Sequence, residues 1–317
     1  MPKKHKKFIF HSILFNKNIL MAAISLFLTL TLIYTLGRDS KYTNNENTYI
    51  KWVEFNVPYN VLRKAIELDI KSQKEDVKLD FIELLSYISS KNGGDYKNYK
   101  DENLQKLVKQ LKNGTKMSEL TEGIKLYPYY VEAYSAILAE YVGEYETNDG
   151  IKYGVKVKHP VNGSYTESDD FGNSRNYGFK RKHLGHDFMA NVGTSVRAME
   201  GGVIEAMGWN QYGGWRVGIR SYDGKRYYYY AHLRKDNPFA KDLKEGNTVK
   251  AGQTIGYVGM TGYSAKENVN NIQTPHLHFG IQLIFDEVQK EGVNQIWIDC
   301  YQISKLLKNP PASVALE

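Results

Sequence analysis

Cysteine is almost missing: Cys300 is the single one in 317 residues. One thiol excludes an intrachain disulfide framework and any cysteine-based zinc cluster. Acidic residues are missing from positions 1–37, which carry Lys3, Lys4, Lys6, Lys7 and Lys17. No repeat of fixed period is visible. An apolar fraction of 42% with 24% charged residues also excludes collagen-like and wholly disordered chains.

The charge asymmetry decides a class of partner. The formal net charge is +7, from 42 Lys+Arg against 35 Asp+Glu. With five lysines and no acid in the first 37 positions, the rest holds 37 basic against 35 acidic side chains, a net of +2. That near-neutral remainder offers no electrostatic case for nucleic acid. The local basic cluster Lys180-Arg181-Lys182 does not change this.

After the lysines runs an uncharged stretch, residues 19–36, ILMAAISLFLTLTLIYTL. At ~1.5 Å per residue it spans about 27 Å, close to the hydrocarbon thickness of a bilayer. The preceding lysines outnumber Arg38, which places the N-terminus in the cytoplasm. A cleaved signal peptide would end in a small-x-small site, and Thr35-Leu36-Gly37-Arg38-Asp39 offers none. The expectation is a cytoplasmic basic tail over 1–18, a retained transmembrane helix over 19–36 and a polar linker over 37–50. The remainder would then lie outside the cytoplasmic membrane.

Residues 51–148 read as a small all-helical domain. Val61, Leu62, Ala65, Ile66 and Leu68 follow Pro58 at one-face spacing. Further helices are expected over 81–90, 103–112 and 128–142, with Gly93-Gly94 and Gly143 as stops. Glu83 faintly resembles the acid of a lysozyme-like transglycosylase, but no second carboxylate is placed by any motif, so it reads as a solvated helix residue.

From about residue 149 glycines and β-branched residues recur with turn pairs, which means a β-rich domain over 149–309. Asp223-Gly224, between residues 215–222 and 226–233, is the strongest hairpin signal. Residues 310–317 read as a loose tail. The fold class is α+β: an anchor helix, a small all-α domain, then a mainly antiparallel β-sheet.

Five of eight histidines fall in three clusters of the β-rich part: His183-Leu-Gly-His-Asp187, Ala231-His232-Leu233 and Pro275-His-Leu-His-Phe279. In a strand alternate side chains share a face. Leu277, Phe279, Ile281, Leu283 and Phe285 thus form a core face, while His276 and His278 project together from the other. His232, at the end of a hairpin strand, is expected to share a face with Tyr230 and Tyr228. A turn at Gly185 can bring His183 and Asp187 to one point. Two histidines plus one carboxylate is a ligand set for catalytic zinc with a fourth position open to water. Histidines also suit copper, iron or nickel, and a closed-shell metal fits hydrolysis outside the cell best.

Together with Tyr230-Ala-His-Leu233, the run Val249–Gly259 and Thr261-Gly262, these stretches resemble the M23 family of zinc metallopeptidases, the LytM/lysostaphin-type peptidoglycan endopeptidases. They occur in the family's order and cover about half the chain. The resemblance implies a LytM-type β domain that holds Zn2+ through His183, Asp187 and His278. It gives His232 and His276 the task of positioning the attacking water and stabilising the tetrahedral intermediate. His186 is not a ligand position. Tyr230, Trp215 and Gly214 are expected to bind substrate, with Gly213, Trp209 and residues 227–230 as further groove elements.

Two departures stand out. Gly280 occupies a position where the family commonly has Glu, and residues 264–274 are longer than usual and are expected to alter a groove wall. The implied function is hydrolysis of amide bonds in peptidoglycan stem peptides or cross-bridges, in cell-wall remodelling. The alternative is a non-catalytic LytM-type binding or assembly module, such as a sporulation channel component or divisome activator. Those often lack one of the five positions, all of which stand here.

Overall fold

The alternating apolar residues of the histidine strand set the centre of the fold. In the computed structural model, which describes residues 52–176 and 180–316, Leu277, Phe279, Ile281 and Leu283 are all at most 1% exposed. The expected tail, transmembrane helix and linker (1–18, 19–36 and 37–50) lie outside the described residues. Among the described residues no helix is long and apolar enough to cross a membrane.

The chain begins with helices α1 (Tyr59–Ser72), α2 (Phe81–Asn92), α3 (Asp101–Lys112), α4 (Met117–Thr121) and α5 (Tyr127–Leu138). Pro58 precedes α1 as its extended cap rather than entering the first turn. The Asp80 side chain accepts from the Glu83 amide at the start of α2, and Gly93, at φ +60°, closes that helix in the left-handed conformation that glycine adopts without a Cβ clash. Glu83 is exposed, as a solvated helix residue should be. The last of these helices stops at Leu138, short of the expected 142. Gly143 lies instead in strand β1 (Val142–Thr147), which pairs with β2 (Gly150–Val155).

The remaining strands are β3 (Val161–Asn162), β4 (Ser174–Asn176), β5 (Lys180–Lys182), β6 (His186–Met189), β7 (Ser195–Arg197), β8 (Gly202–Asn210), β9 (Gly214–Ser221), β10 (Arg226–Ala231), β11 (Thr248–Val249), β12 (Thr254–Tyr257), β13 (His276–Leu283), β14 (Ile296–Ile298) and β15 (Val314–Ala315). A short helix α6 (Tyr301–Lys308) precedes β15. The main sheet runs β11-β8-β9-β10-β13-β14, with β6 also paired to β13, and every pairing is antiparallel. The hairpin at Asp223-Gly224 forms as its sequence demands, with Tyr227 opposite Arg220.

Residues 310–317 correct the reading of a loose tail. Val314 and Ala315 pair with Tyr153 and Lys152 of β2, giving that strand a second ladder of backbone hydrogen bonds.

The helices and the sheet share buried structure. Arg226, wholly buried, donates from Nε and Nη2 to the two carboxylate oxygens of Glu200 at 2.8 and 3.1 Å, and from Nη1 to the carbonyl of Ala136 in α5 at 2.7 Å. A buried guanidinium is tolerable only with its donors satisfied, and here one of them reaches across to the last turn of a helix. The lone thiol, Cys300, is 2% exposed at the start of α6.

Candidate metal centre and catalytic site

Register brings the site together. In the β6–β13 pair His278 stands opposite Asp187, and in the β10–β13 pair Tyr229 stands opposite Gly280 and Tyr227 opposite Gln282. Facing residues of an antiparallel pair project to one side, so these residues share the face of His276 and His278. The His183–Asp187 turn lies directly on β13. A Cβ at Gly185 would sit 2.6 Å from Cε1 of His278, so only glycine permits the approach.

Three donor atoms converge. His183 Nε2 lies 3.0 Å from Asp187 Oδ1 and 2.9 Å from His278 Nδ1, and His278 Nδ1 lies 3.1 Å from Asp187 Oδ1. Ligand atoms of a tetrahedral zinc at about 2.0–2.1 Å stand about 3.3 Å apart, so the triangle is of the right size for one ion. These are also the three residues whose donor atoms could together hold a metal among the described residues. His183 and Asp187 are buried, at 3% and 8% exposure. The donor set and its dimensions fit zinc.

Behind the triangle stand groups that no sequence motif announced. Asp170 accepts from His183 Nδ1, through its carbonyl at 3.0 Å and its carboxylate at 3.2 Å. It also lies 2.7 Å from His186 Nδ1, whose Nε2 is 3.3 Å from Glu167. Arg175 of β4 donates to the second oxygen of Asp187 at 2.8 Å and to Asp170 at 3.1 Å. Burial alone would disfavour the charged carboxyl of Asp170, but hydrogen bonds from His183 and His186 outweigh it and hold the carboxyl well below its usual range. Asp187 is likewise held low against burial, by His183 and His278. Burial opposes protonation of His183 and of His186, yet hydrogen bonds to the flanking carboxylates raise both to about 9. Proton and cation therefore compete for His183 Nε2. His186 touches none of the three donor atoms and stands behind them, in accord with its exclusion from the ligands.

The other two histidines adopt one common arrangement. His232 Nδ1 lies 2.9 Å from the Thr261 carbonyl, and His276 Nδ1 lies 2.8 Å from the Thr274 carbonyl. A carbonyl can only accept, so each Nδ1 carries the proton and each Nε2 is left as an acceptor in the neutral ring. The two ring centroids are 4.9 Å apart, and His276 Nε2 is 3.8 Å from Asp187 Oδ1. Burial pushes His232 well below its ordinary pKa, helped by the neighbouring imidazoles of His276 and His278. Burial also lowers His278, against the opposing pull of Asp187.

Two hollows open onto these rings. A small one of about 60 Å³ is lined by Arg181, Tyr212, Gly213, Tyr229, His232, Tyr263 and His278, among others. A larger groove of about 450 Å³ extends from His278 over Tyr229, Tyr227 and Trp297.

The expected substrate contacts need correction. Tyr230 is fully buried, opposite Phe279 on the core face, and its hydroxyl accepts from the Met199 amide at 2.9 Å. Tyr228 is buried as well, and Tyr227 and Tyr229 take the groove side instead. The expected sharing of a face failed because His232 adopts φ +61°, which breaks the strand alternation between Tyr230 and His232. Trp215 lines neither hollow. It packs against the core, edge-on to Trp209 and Phe239 with ring centroids 5.6 Å away in each case, and donates to Asn268 at 2.9 Å. Gly214 lies against the Thr261 backbone, and its neighbour Gly213 lines the small hollow.

Residues 264–274 likewise line neither hollow, and Asn268 ties them to Trp215 and Asp236. Gly280 has a steric reason: a Cβ there would come within 2.7 Å of the Trp297 ring.

Residues 181–294 match the model of Peptidase family M23. The chain is 41% identical over 122 residues to an L-Ala--D-Glu endopeptidase of Bacillus subtilis, an alignment covering 38% of this chain and 36% of that protein. It is 46% identical over 98 residues to the glycyl-glycine endopeptidase ALE-1 of Staphylococcus capitis, covering 31% of this chain and 24% of that one. The chain thus spans about a third or less of the length of these relatives. A solved lytM structure from Ruminococcus gnavus superimposes with a TM-score of 0.53 at 24% identity, over 81% of this chain and 90% of that one, a likeness of fold. The histidine–aspartate triangle of His183, Asp187 and His278 thus lies within residues 181–294, the segment that is similar to peptidase family M23.

Proposed function

We propose that the protein is a zinc-dependent endopeptidase that hydrolyses amide bonds in peptidoglycan stem peptides or cross-bridges. The observation that carries this reading is the convergence, on one face of β13, of a metal-sized donor triangle and two further imidazoles with Nε2 free to accept. A non-catalytic binding module has no use for the second pair. On its sequence alone, the protein would also lie in the cell membrane, single-pass through residues 19–36, with the peptidase-like domain outside.

His183 Nε2, Asp187 Oδ1 and His278 Nδ1 would hold the ion. Zinc held there supplies Lewis acidity toward a carbonyl oxygen and toward water. Asp170 keeps a proton on His183 Nδ1, which leaves Nε2 for the metal, and Arg175 balances the second oxygen of Asp187. The reaction adds water oxygen to the scissile carbonyl carbon and breaks its bond to nitrogen. One of His232 and His276, its Nδ1 proton given to a carbonyl and its Nε2 left to accept, takes the proton that water loses as it attacks. Once protonated, such a ring donates to the oxyanion and then returns the proton to the leaving amine. The buried setting of His232 keeps that ring neutral until the attack.

Digestion of purified sacculi by the zinc-loaded protein, with fragments identified by mass spectrometry, tests the reading. New amino termini in stem peptides or cross-bridges are expected. Intact sacculi of every wall type would transfer the assignment to the assembly-module alternative.

A further inference from the structure

The groove beside His278 is unequally charged. Its ionic members are Arg181, Lys182, Arg220 and Lys290, opposed by Glu205 alone. Two of the four cations are already committed. Arg220 forks onto Glu205 through Nε and Nη2 at 2.7 and 2.8 Å, and Lys290 pairs with Glu287 at 2.9 Å. Among the described residues no carboxylate lies within ion-pairing distance of Arg181 or Lys182.

Arg181 is held in an unusual way. It stands directly opposite Arg175 across the β4–β5 pair, so two guanidinium groups leave the same face of one hairpin. Like charges in facing positions are destabilising unless each has its own partner. Arg175 has two, Asp170 and Asp187. Among the described residues Arg181 has only the neutral Tyr263, bonding its hydroxyl and lying over its ring with 5.2 Å to the centroid, while its Nε has no hydrogen-bond partner there. It also lines both hollows, the small one with His232 and His278 and the larger groove. An uncompensated, pre-placed planar cation thus stands at the seam between the catalytic histidines and the groove. A guanidinium in that state is a bidentate receptor for a carboxylate.

We propose that Arg181, supported by Lys182, binds a free carboxylate of the substrate beside the scissile amide. The preferred substrate is then an acidic stem peptide, and an amidated stem or a neutral glycine bridge is disfavoured. This rests on the endopeptidase reading and adds the charge of the substrate to it.

The test uses two synthetic stem peptides that differ only in bearing a carboxylate or a carboxamide next to the cleaved bond. The wild-type protein is expected to favour the acid by roughly ten- to a hundredfold in kcat/KM, the range of hydrogen bonds to charged groups. Arg181→Gln moves that ratio toward one, Lys182→Gln moves it less, and Arg181→Lys restores part of it. Zinc content serves as the check that each variant has folded. The wild-type ratio also falls as salt rises. Equal cleavage of acid and amide by the wild type, or a ratio unchanged in Arg181→Gln, overturns the groove assignment and leaves the endopeptidase reading standing. Calorimetric binding of the same pair separates the other case. Preferential binding of the acid with no cleavage of either peptide supports the groove assignment and overturns the endopeptidase reading.

Discussion

His232 donates its Nδ1 proton to the carbonyl oxygen of Thr261 at 2.9 Å. Thr261 is itself fixed from both sides. Its hydroxyl accepts from the Trp215 amide at 3.1 Å and donates to the Leu233 carbonyl at 2.6 Å. One fully buried threonine therefore sets the tautomer of His232 and ties the segment after β10 to the start of β9.

Thr261→Val keeps the volume and removes the hydroxyl. The buried Leu233 carbonyl and the half-buried Trp215 amide lose a hydrogen bond, at about 1–3 kcal/mol for each group left unsatisfied. Loss of roughly 2 kcal/mol or more in urea unfolding is expected, together with a lower kcat and an unchanged zinc content. A zinc-depleted variant would show that Thr261 supports the metal triangle instead of His232.

The two kinds of histidine separate by metal content. His278→Ala removes one corner of the 2.9–3.1 Å triangle and is expected to lose zinc and activity together. His276→Ala leaves all three corners and is expected to keep about one zinc while muropeptide cleavage falls by roughly a hundredfold or more, the scale of general acid–base catalysis. Full zinc stoichiometry in the first variant, or full turnover in the second, contradicts the roles assigned.

Asp170 acts behind His183. In Asp170→Asn the acceptor that orients His183 Nδ1 at 3.2 Å loses its charge. Zinc affinity is expected to drop about ten- to a hundredfold, as for other partners of metal-bound histidines. Competition with a chromogenic chelator measures it, and an unchanged affinity would remove Asp170 from the support of the site.

Acid stability is expected to rest partly on a histidine outside the donor triangle. His159 is buried, stacks on Tyr165 at 4.3 Å, and accepts the Val161 amide at Nδ1. Burial is the main reason its pKa falls from 6.5 to about 4. The unfolded chain takes up this proton first as pH falls, so the contribution is complete above about 6.5 and is lost between about 6.5 and 4. The full amount is about 3 kcal/mol. His159→Phe is expected to flatten the change in urea midpoint between pH 7 and pH 5. A slope equal to that of the wild type would point to other groups.

Much of the site was legible in single strands. The period of two in Pro275-His-Leu-His-Phe279 puts both histidines on one face and buries Leu277 and Phe279, whatever the rest of the chain does. The spacing of His183 and Asp187 around Gly185 likewise announced a turn that brings imidazole and carboxylate together. Asp170, Glu167 and Arg175 were not legible, because each reaches the site across a turn or a hairpin and belongs to no local pattern. Tyr230 was misplaced because strand alternation holds only while φ stays extended, and His232 leaves that region.

The sequence by itself determined the chemistry: one cysteine, five histidines in three clusters, and a carboxylate four residues from the first of them. Those facts depend on residue type and on periods that the backbone imposes locally. Tertiary structure alone decided which tyrosines face the groove, that residues 314–315 pair with β2, and that among the described residues Arg181 is left without a carboxylate while Arg175 has two. Each of these depends on register between strands distant in sequence, and a shift of one residue there exchanges one face of the sheet for the other.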